Sequence, residues 1–315
     1  MPDEMRDVFG QTLVDLGREF PEIVVLDADL NTSSKTVLFK DAFPRRFIQC
    51  GIAEQNMFGV AAGLAMQGYI PFPSTFAVFA AKRALDQVTV SIAYPKLDVK
   101  IAGSYAGVPT SRAGASHNAI DDLAAMRAVP NVRVADPGDN RELRTLMRAA
   151  VLTPGPIYFR VTRITLPDLM PADYAFQWGV GVRLREGDGV TLVGTGMMTS
   201  LCIEAADLLA RDGIRADVLH CGSIKPIDAE LVADSARRTG AVVTAENASI
   251  VGGLGSAVAE ALGERAPAVL RRIGVRDQFV SSGGTQELLH YHGMTPEHIA
   301  TAAREAMAAR DAKDA

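Results

Sequence analysis

Short apolar runs alternate with stretches of helical periodicity from end to end of the chain, and that alternation most restricts the folds open to it. EIVVLDA (22–28), DVKIAGS (98–104), NVRVAD (131–136) and PIYFRV (156–161) read as strands in the first half. GVTLVGTG (189–196), IRADVLH (214–220), GAVVTAEN (240–247) and AVLRRIG (268–274) do so in the second. Strands this apolar, separated by amphipathic helices, are those of a mainly parallel sheet buried on both faces. The expected class is α/β, with two three-layer domains. Between them, 162–188 has prolines, mixed polarity and no helical period. A linker over 166–185 leaves domains at 1–165 and 186–315, each of ordinary size.

Composition excludes several functions. Lys and Arg total 32 against 37 Asp and Glu, and the basic residues are scattered, so no face suits nucleic acid. Cys50, Cys202 and Cys221 form neither a disulfide framework nor a cluster with zinc-ligand spacing. The opening MPDEMRDVFG is charged from its third residue, unlike a secretory signal, and no apolar run is long enough to span a bilayer. The expectation is a cytoplasmic protein with no metal ligands of its own and no membrane or nucleic-acid partner.

One segment carries an unusual charge. IAEQNMFGVAAGLAMQG, after Cys50-Gly51, reads as one helix rich in small residues, of which Ala53, Ala61, Ala62, Gly63 and Ala65 allow close approach by another element. Glu54 lies near its positive end, where the dipole stabilises a carboxylate. By itself it reads as a solvated or capping glutamate. Next, YIPFPSTFAVFAAKRALDQV enters from a short strand into a second helix, and Phe76 and Phe79, three apart, are expected on one helix face.

Taken in order, GIAEQNMFGVAAGLA, PSTFAVF, SHNAIDDLAAMRAVPNVRVADPGD and GGLGSAVAE make a specific combination. With it the chain resembles, over essentially its whole length, the C-terminal half of transketolase, the thiamine-diphosphate enzyme, supplied as a separate subunit. The resemblance implies a pyrimidine-binding domain over 1–165 and the family's C-terminal domain over 186–315. It implies that Glu54 is buried and bonds the ring nitrogen of the cofactor's aminopyrimidine. A carboxylic acid there favours the imino tautomer of the neighbouring amino group, which takes the thiazolium proton. Phe76 and Phe79 would wall the pyrimidine ring, and Asp29, in VVLDADLNTSS, would lie beside the cofactor. His117 matches the histidine that bonds substrate oxygens near the reacting carbonyl. Arg6, Ser33 and Arg163 fall where the family holds the substrate phosphate, a ligand suited to the arginine fork. Arg160 is either a neighbour in that site or half of a strand-end salt bridge.

Two positions depart from the family pattern. SYAG places Tyr105 where a phosphate-contacting histidine is usual. SRAGASH places Ala113 four residues before His117, where an aspartate ordinarily reads a sugar hydroxyl. Tyr105 is kept as a substrate contact, with Arg112 as a replacement cation. Together they imply an altered or branched ketose, or a differently charged tail. GDG (187–189) imitates the opening of the family's magnesium-diphosphate motif, but it precedes a strand as a turn would. GGLGSAV (252–258) imitates a dinucleotide fingerprint, but no acidic residue follows at the required distance. The resemblance therefore implies an N-terminal-type partner subunit that carries the diphosphate and Mg2+ ligands. It would join a homodimeric core of this chain in a heterotetramer. The expected reaction moves a two-carbon ketol unit from a ketose, as a sugar phosphate, to an aldose. Rival readings are the beta subunit of a 2-oxo-acid dehydrogenase, a deoxyxylulose-phosphate-synthase-like enzyme, and a non-catalytic regulatory or scaffolding partner.

Overall fold

The computed structural model describes residues 3–314, apart from the side chains of residues 111 and 314. In chain order its strands are β1 (Ile23–Asp27), β2 (Phe47–Gln49), β3 (Ile70–Phe76), β4 (Lys100–Ser104), β5 (Arg133–Ala135), β6 (Ile157–Val161), β7 (Val182–Arg185), β8 (Val190–Gly194), β9 (Ala216–His220), β10 (Ser223–Lys225), β11 (Ala241–Ser249) and β12 (Val269–Val275). They form a seven-stranded sheet, ordered β10-β5-β6-β4-β3-β1-β2, and a five-stranded sheet, ordered β12-β11-β8-β9-β7. Every pairing is parallel except β10 with β5 and β7 with β9. The eight apolar runs all form strands, and β1, β4, β6, β8 and β9 are buried at every position. The class is α/β, with two mostly parallel sheets covered by helices.

The separation into blocks is less clean than the alternation suggests. β10 comes from the second half of the chain but adds antiparallel to β5, covering what would otherwise be an open edge of the first sheet. The weakly patterned stretch ends in β7, which pairs with β9, so 182–185 belongs to the second sheet rather than to a linker. Neither segment was legible, because β10 is three residues long and β7 is half-buried throughout. A shared apolar core joins the halves: Leu143, Leu146 and Met147 of the helix Asn140–Leu152 belong to the same buried cluster as Phe176, Met198 and Val218.

Two buried polar knots tie the halves as well. Arg160, on β6, donates to Asp122 Oδ2 at 2.8 Å and to Asn247 O at 3.0 Å, and also bonds Asp122 Oδ1, Asp136 and Ala119 O. Burial pulls its guanidinium down, but Asp122, Asp136 and Tyr158 together hold it above its ordinary value. His220, on β9, is hydrogen-bonded through Nε2 to Glu142 Oε2 at 2.7 Å and through Nδ1 to Thr199 Oγ1 at 2.7 Å.

The look-alike motifs resolve as turns. GDG lies in the bend before β8. GGLGS opens the helix Leu254–Arg265, where the backbone N–H groups of Leu254 and Gly255 both donate to the Glu246 carboxylate at 2.8 Å. That helix start is already satisfied from within.

Candidate active site

The carboxyl ends of β1, β3, β4 and β6 all open on the same end of the first sheet, where parallel α/β sheets place ligands. At or just beyond these ends lie Asp29, Phe76, Tyr105 and Arg163. Glu54 begins the helix Glu54–Met66, two residues later than the sequence pattern suggests, and its side chain is 1% exposed. Its Oε1 accepts from Thr75 Oγ1 at 3.4 Å and from Arg83 Nη1 at 3.0 Å, and its Oε2 accepts from the same Nη1 at 2.9 Å.

Phe76 and Phe79 do not share a helix face. Phe76 is the last residue of β3 and caps the helix Ala77–Lys82 in an extended conformation; only Phe79 is helical. The turn from strand to helix still brings their rings near parallel, with centroids 6.0 Å apart. Proline at 71 and 73 favours the extended run, and the helix can begin only after it. His117 stands edge-on to both, 6.0 Å from Phe76 and 5.4 Å from Phe79, with Nδ1 bonded to Ser116 Oγ at 2.9 Å.

Tyr105 joins this aromatic cluster to a basic one. Its ring stacks on Phe76 at 4.4 Å, and its hydroxyl accepts from Arg6 Nη1 at 2.8 Å. The Arg163 guanidinium lies 5.2 Å from the same ring centroid. Phe76, Tyr105, Arg6, Thr32, Ser33, Arg112, Ala113, Arg163 and, from the second half of the chain, Thr285 line one cavity of about 680 Å³. Burial works against the Arg6 charge, but its bond to Glu4, with Tyr105 and Asp7 nearby, holds the guanidinium above its ordinary value.

The loop carrying Tyr105 is held by the second half of the chain. Tyr105 has φ +57 and Gly107 has φ +73. A side chain at Gly107 would run into the Asn247 amide, whose Oδ1 accepts from Val108 N at 2.8 Å. Close approach as well as backbone conformation therefore calls for glycine here.

One expected site residue stands elsewhere. Arg160 does not line the cavity; it is the buried centre of the interdomain knot, so the salt-bridge reading of that residue describes it. Asp29 is exposed at φ +64 and, like Glu54, Phe79 and His117, lies beside the cavity rather than in its lining. The turn that presents it is built on buried Asp27, which accepts from Leu30 N at 2.6 Å and Thr36 Oγ1 at 2.8 Å. Sequence reasoning missed Arg83, Thr75, Thr32 and Thr285. Arg83 follows Lys82 in an exposed-looking helical run, and no local signal marks which of the two turns inward.

A mainly parallel sheet with a buried carboxylate, stacked rings and an adjoining basic cavity gathered at one end defines a protein suited to a flat heterocycle beside an anionic small molecule. Comparison with known proteins makes this specific. Residues 3–168 match the pyrimidine binding domain of transketolase and residues 179–299 its C-terminal domain, and the chain belongs to the transketolase family. It is 44% identical over 301 residues to the 6-deoxy-6-sulfo-D-fructose transketolase subunit SqwH of Clostridium sp., covering 96% of this chain and 94% of that one. It is 36% identical to an apulose-4-phosphate transketolase subunit of Phocaeicola vulgatus, covering 95% and 96%. A solved structure described as a split gene transketolase, inactive beta4 tetramer, is 49% identical, with a TM-score of 0.91 over 97% of this chain and 99% of that one. Near-complete coverage of relatives that are themselves separate subunits, against about half of the single-chain deoxyxylulose-phosphate synthases it also matches, places the synthase rival behind the transketolase reading. Among the described residues no helix is long and apolar enough to cross a membrane.

Proposed function

We propose that this chain is the pyrimidine-binding subunit of a two-subunit transketolase, which moves a two-carbon ketol unit from an anionic ketose to an aldose. The observation that carries the reading is the continuity of the site. Phe76 belongs both to the ring cluster near Glu54 and to the wall of the arginine-lined cavity, so a cofactor ring and a substrate tail would lie side by side. The residues fit the aminopyrimidine of thiamine diphosphate. Phe76 and Phe79 offer flat apolar walls, and buried Glu54 offers a group able to hold a proton at a ring nitrogen. Bound there, the cofactor supplies a carbon nucleophile that accepts the ketol unit.

The chain's own residues bind and orient the substrate. His117, edge-on to the rings, faces the reacting end and bonds its oxygens. Arg6 and Arg163, with Tyr105 and Ser33, hold a tetrahedral anion at the tail by charge-assisted hydrogen bonds. Tyr105 and Ala113 stand where a histidine and an aspartate read the usual sugar phosphates. The two relatives are named for 6-deoxy-6-sulfo-D-fructose and apulose 4-phosphate, and an unusual ketose with a phosphate or sulfonate tail is assigned here too. Asp29 belongs to the rim beside the cofactor. The diphosphate and Mg2+ are assigned to an N-terminal-type partner subunit in the cytoplasm.

A homodimeric core completes the assembly. Ile52, Met66, Val90 and Tyr94 are exposed apolar residues on or beside the helices Glu54–Met66 and Gln87–Ala93, and added side chains at Gly59 and Gly63 would meet nothing. A second copy of this face would cover that surface, giving a heterotetramer with two partner subunits. The test combines this chain with its partner, thiamine diphosphate and Mg2+, and assays ketol transfer from 6-deoxy-6-sulfofructose, apulose 4-phosphate and xylulose 5-phosphate. Transfer from one of the first two above the third is expected. A complex that assembles and binds cofactor but transfers from none refutes the reading.

A further inference from the structure

Arg83 makes two contacts that no conventional surface arginine needs. Its Nη1 donates to both oxygens of Glu54, at 3.0 and 2.9 Å, and its guanidinium carbon lies 4.1 Å from the centroid of Phe79. It is a flat group with N–H donors, placed on the phenyl ring and bonded to the carboxylate. Those are the contacts that the proposed function gives to the aminopyrimidine. We infer that Arg83 is a second determinant of cofactor binding: its guanidinium stands in for the aminopyrimidine in the cofactor-free chain and is exchanged for it on binding. The inference rests on the reading of Glu54 and Phe79 as cofactor contacts.

The chemistry favours such a stand-in. Without Arg83, the carboxylate would keep only the long 3.4 Å contact to Thr75, at 1% exposure. A buried unpaired carboxylate is costly, so the chain needs a cation there until the cofactor arrives. Arg83 can also leave. Its side chain is 45% exposed, and among the described residues its guanidinium is held only by Glu54 and the Phe79 ring, so it can swing into solvent without opening the core. Nη1 lies almost equally far from both carboxylate oxygens and takes the position between them, so a ring nitrogen that bonds Glu54 there competes with the guanidinium.

An internal competitor and a permanent strut predict opposite signs. Thiamine diphosphate with Mg2+ is titrated calorimetrically into the assembled complex carrying parent chain, Arg83→Ala or Arg83→Lys. A competitor that closes nine sites in ten raises the apparent Kd tenfold, so Arg83→Ala is expected to bind about tenfold more tightly. Arg83→Lys keeps the charge but loses the planar fork, and is expected to fall between. It decides the matter if the alanine variant does not assemble. In thermal unfolding without cofactor, both variants are expected to melt below the parent, with the difference closing when cofactor is added. Cofactor binding equal to or weaker than the parent's in the variants overturns the inference. A parent complex that binds no thiamine diphosphate instead refutes the functional reading beneath it.

Discussion

Glu54→Gln separates the acid from its shape, and the structure sets the size of the effect. The amide keeps one acceptor for Thr75 and Arg83 but turns an N–H toward Arg83 Nη1 where Oε2 accepts at 2.9 Å. One charge-assisted hydrogen bond is lost, worth about 1.5–3 kcal/mol where both partners are buried. Arg83 is 45% exposed and can turn to water, which cuts the net loss to ~1 kcal/mol. For a chain of 315 residues that corresponds to a fall in Tm of about 1–2 °C, and assembly with the partner survives. Activity responds far more. A positioned acid contributes roughly 10²–10⁴-fold, and kcat should drop by that factor. KM for the ketose stays near its original value, because the amide leaves the Arg6 and Arg163 cavity untouched. The assay pairs steady-state ketol transfer with NMR-monitored proton exchange at the thiazolium carbon, in the complete complex with Mg2+. Exchange as fast in Glu54→Gln as in the parent would show the carboxylate to be a buried structural anion and no more.

Three further outcomes are expected. Tyr105→Phe keeps the ring on Phe76 but removes the acceptor for Arg6, so KM for the anionic ketose should rise about fivefold, the equivalent of a ~1 kcal/mol hydrogen bond, with kcat held; an unchanged KM would remove Tyr105 from the tail site. Asn247→Ala orphans the buried Val108 N–H, and urea unfolding should register a loss of about 1–3 kcal/mol, with KM raised more than kcat is lowered. Burial against two backbone N–H bonds pushes the Glu246 carboxyl up to about 7 from 4.5, so the folded chain holds its proton longer than the unfolded chain does. Its stabilising effect is complete below pH 4.5 and is lost as pH rises toward 7, so Glu246→Gln should show a flatter Tm-against-pH profile across that window; parallel profiles would contradict the shift.

The chemistry of the site was partly legible from local pattern. GIAEQ followed by PSTFAVF singled out Glu54, Phe76 and Phe79, and the three do gather around one end of the first sheet. The assumed geometry was wrong in detail, because Phe76 ends a strand whose prolines delay the helix. Arg160 shows the limit more sharply. It belongs to PIYFRV, three residues before Arg163, and residue type alone cannot separate an arginine bound for the cavity from one bound for the core. β6 alternates its faces, and burial with Asp122 decides the matter for Arg160.

The sequence by itself determined the α/β class, most strand positions and the identity of the helix that carries Glu54. Each of these follows from interactions between near neighbours, which write a period into the chain. Tertiary structure alone decided which side chains meet. Glu54 and Arg83 are 29 residues apart, Arg160 and Asn247 are 87, and Asn247 and Val108 are 139. Their meeting depends on a strand order that departs from chain order and on β10 crossing to the first sheet. Those arrangements are selected by the joint burial of two sheets and the satisfaction of polar groups between them, and no segment of the chain carries that information alone.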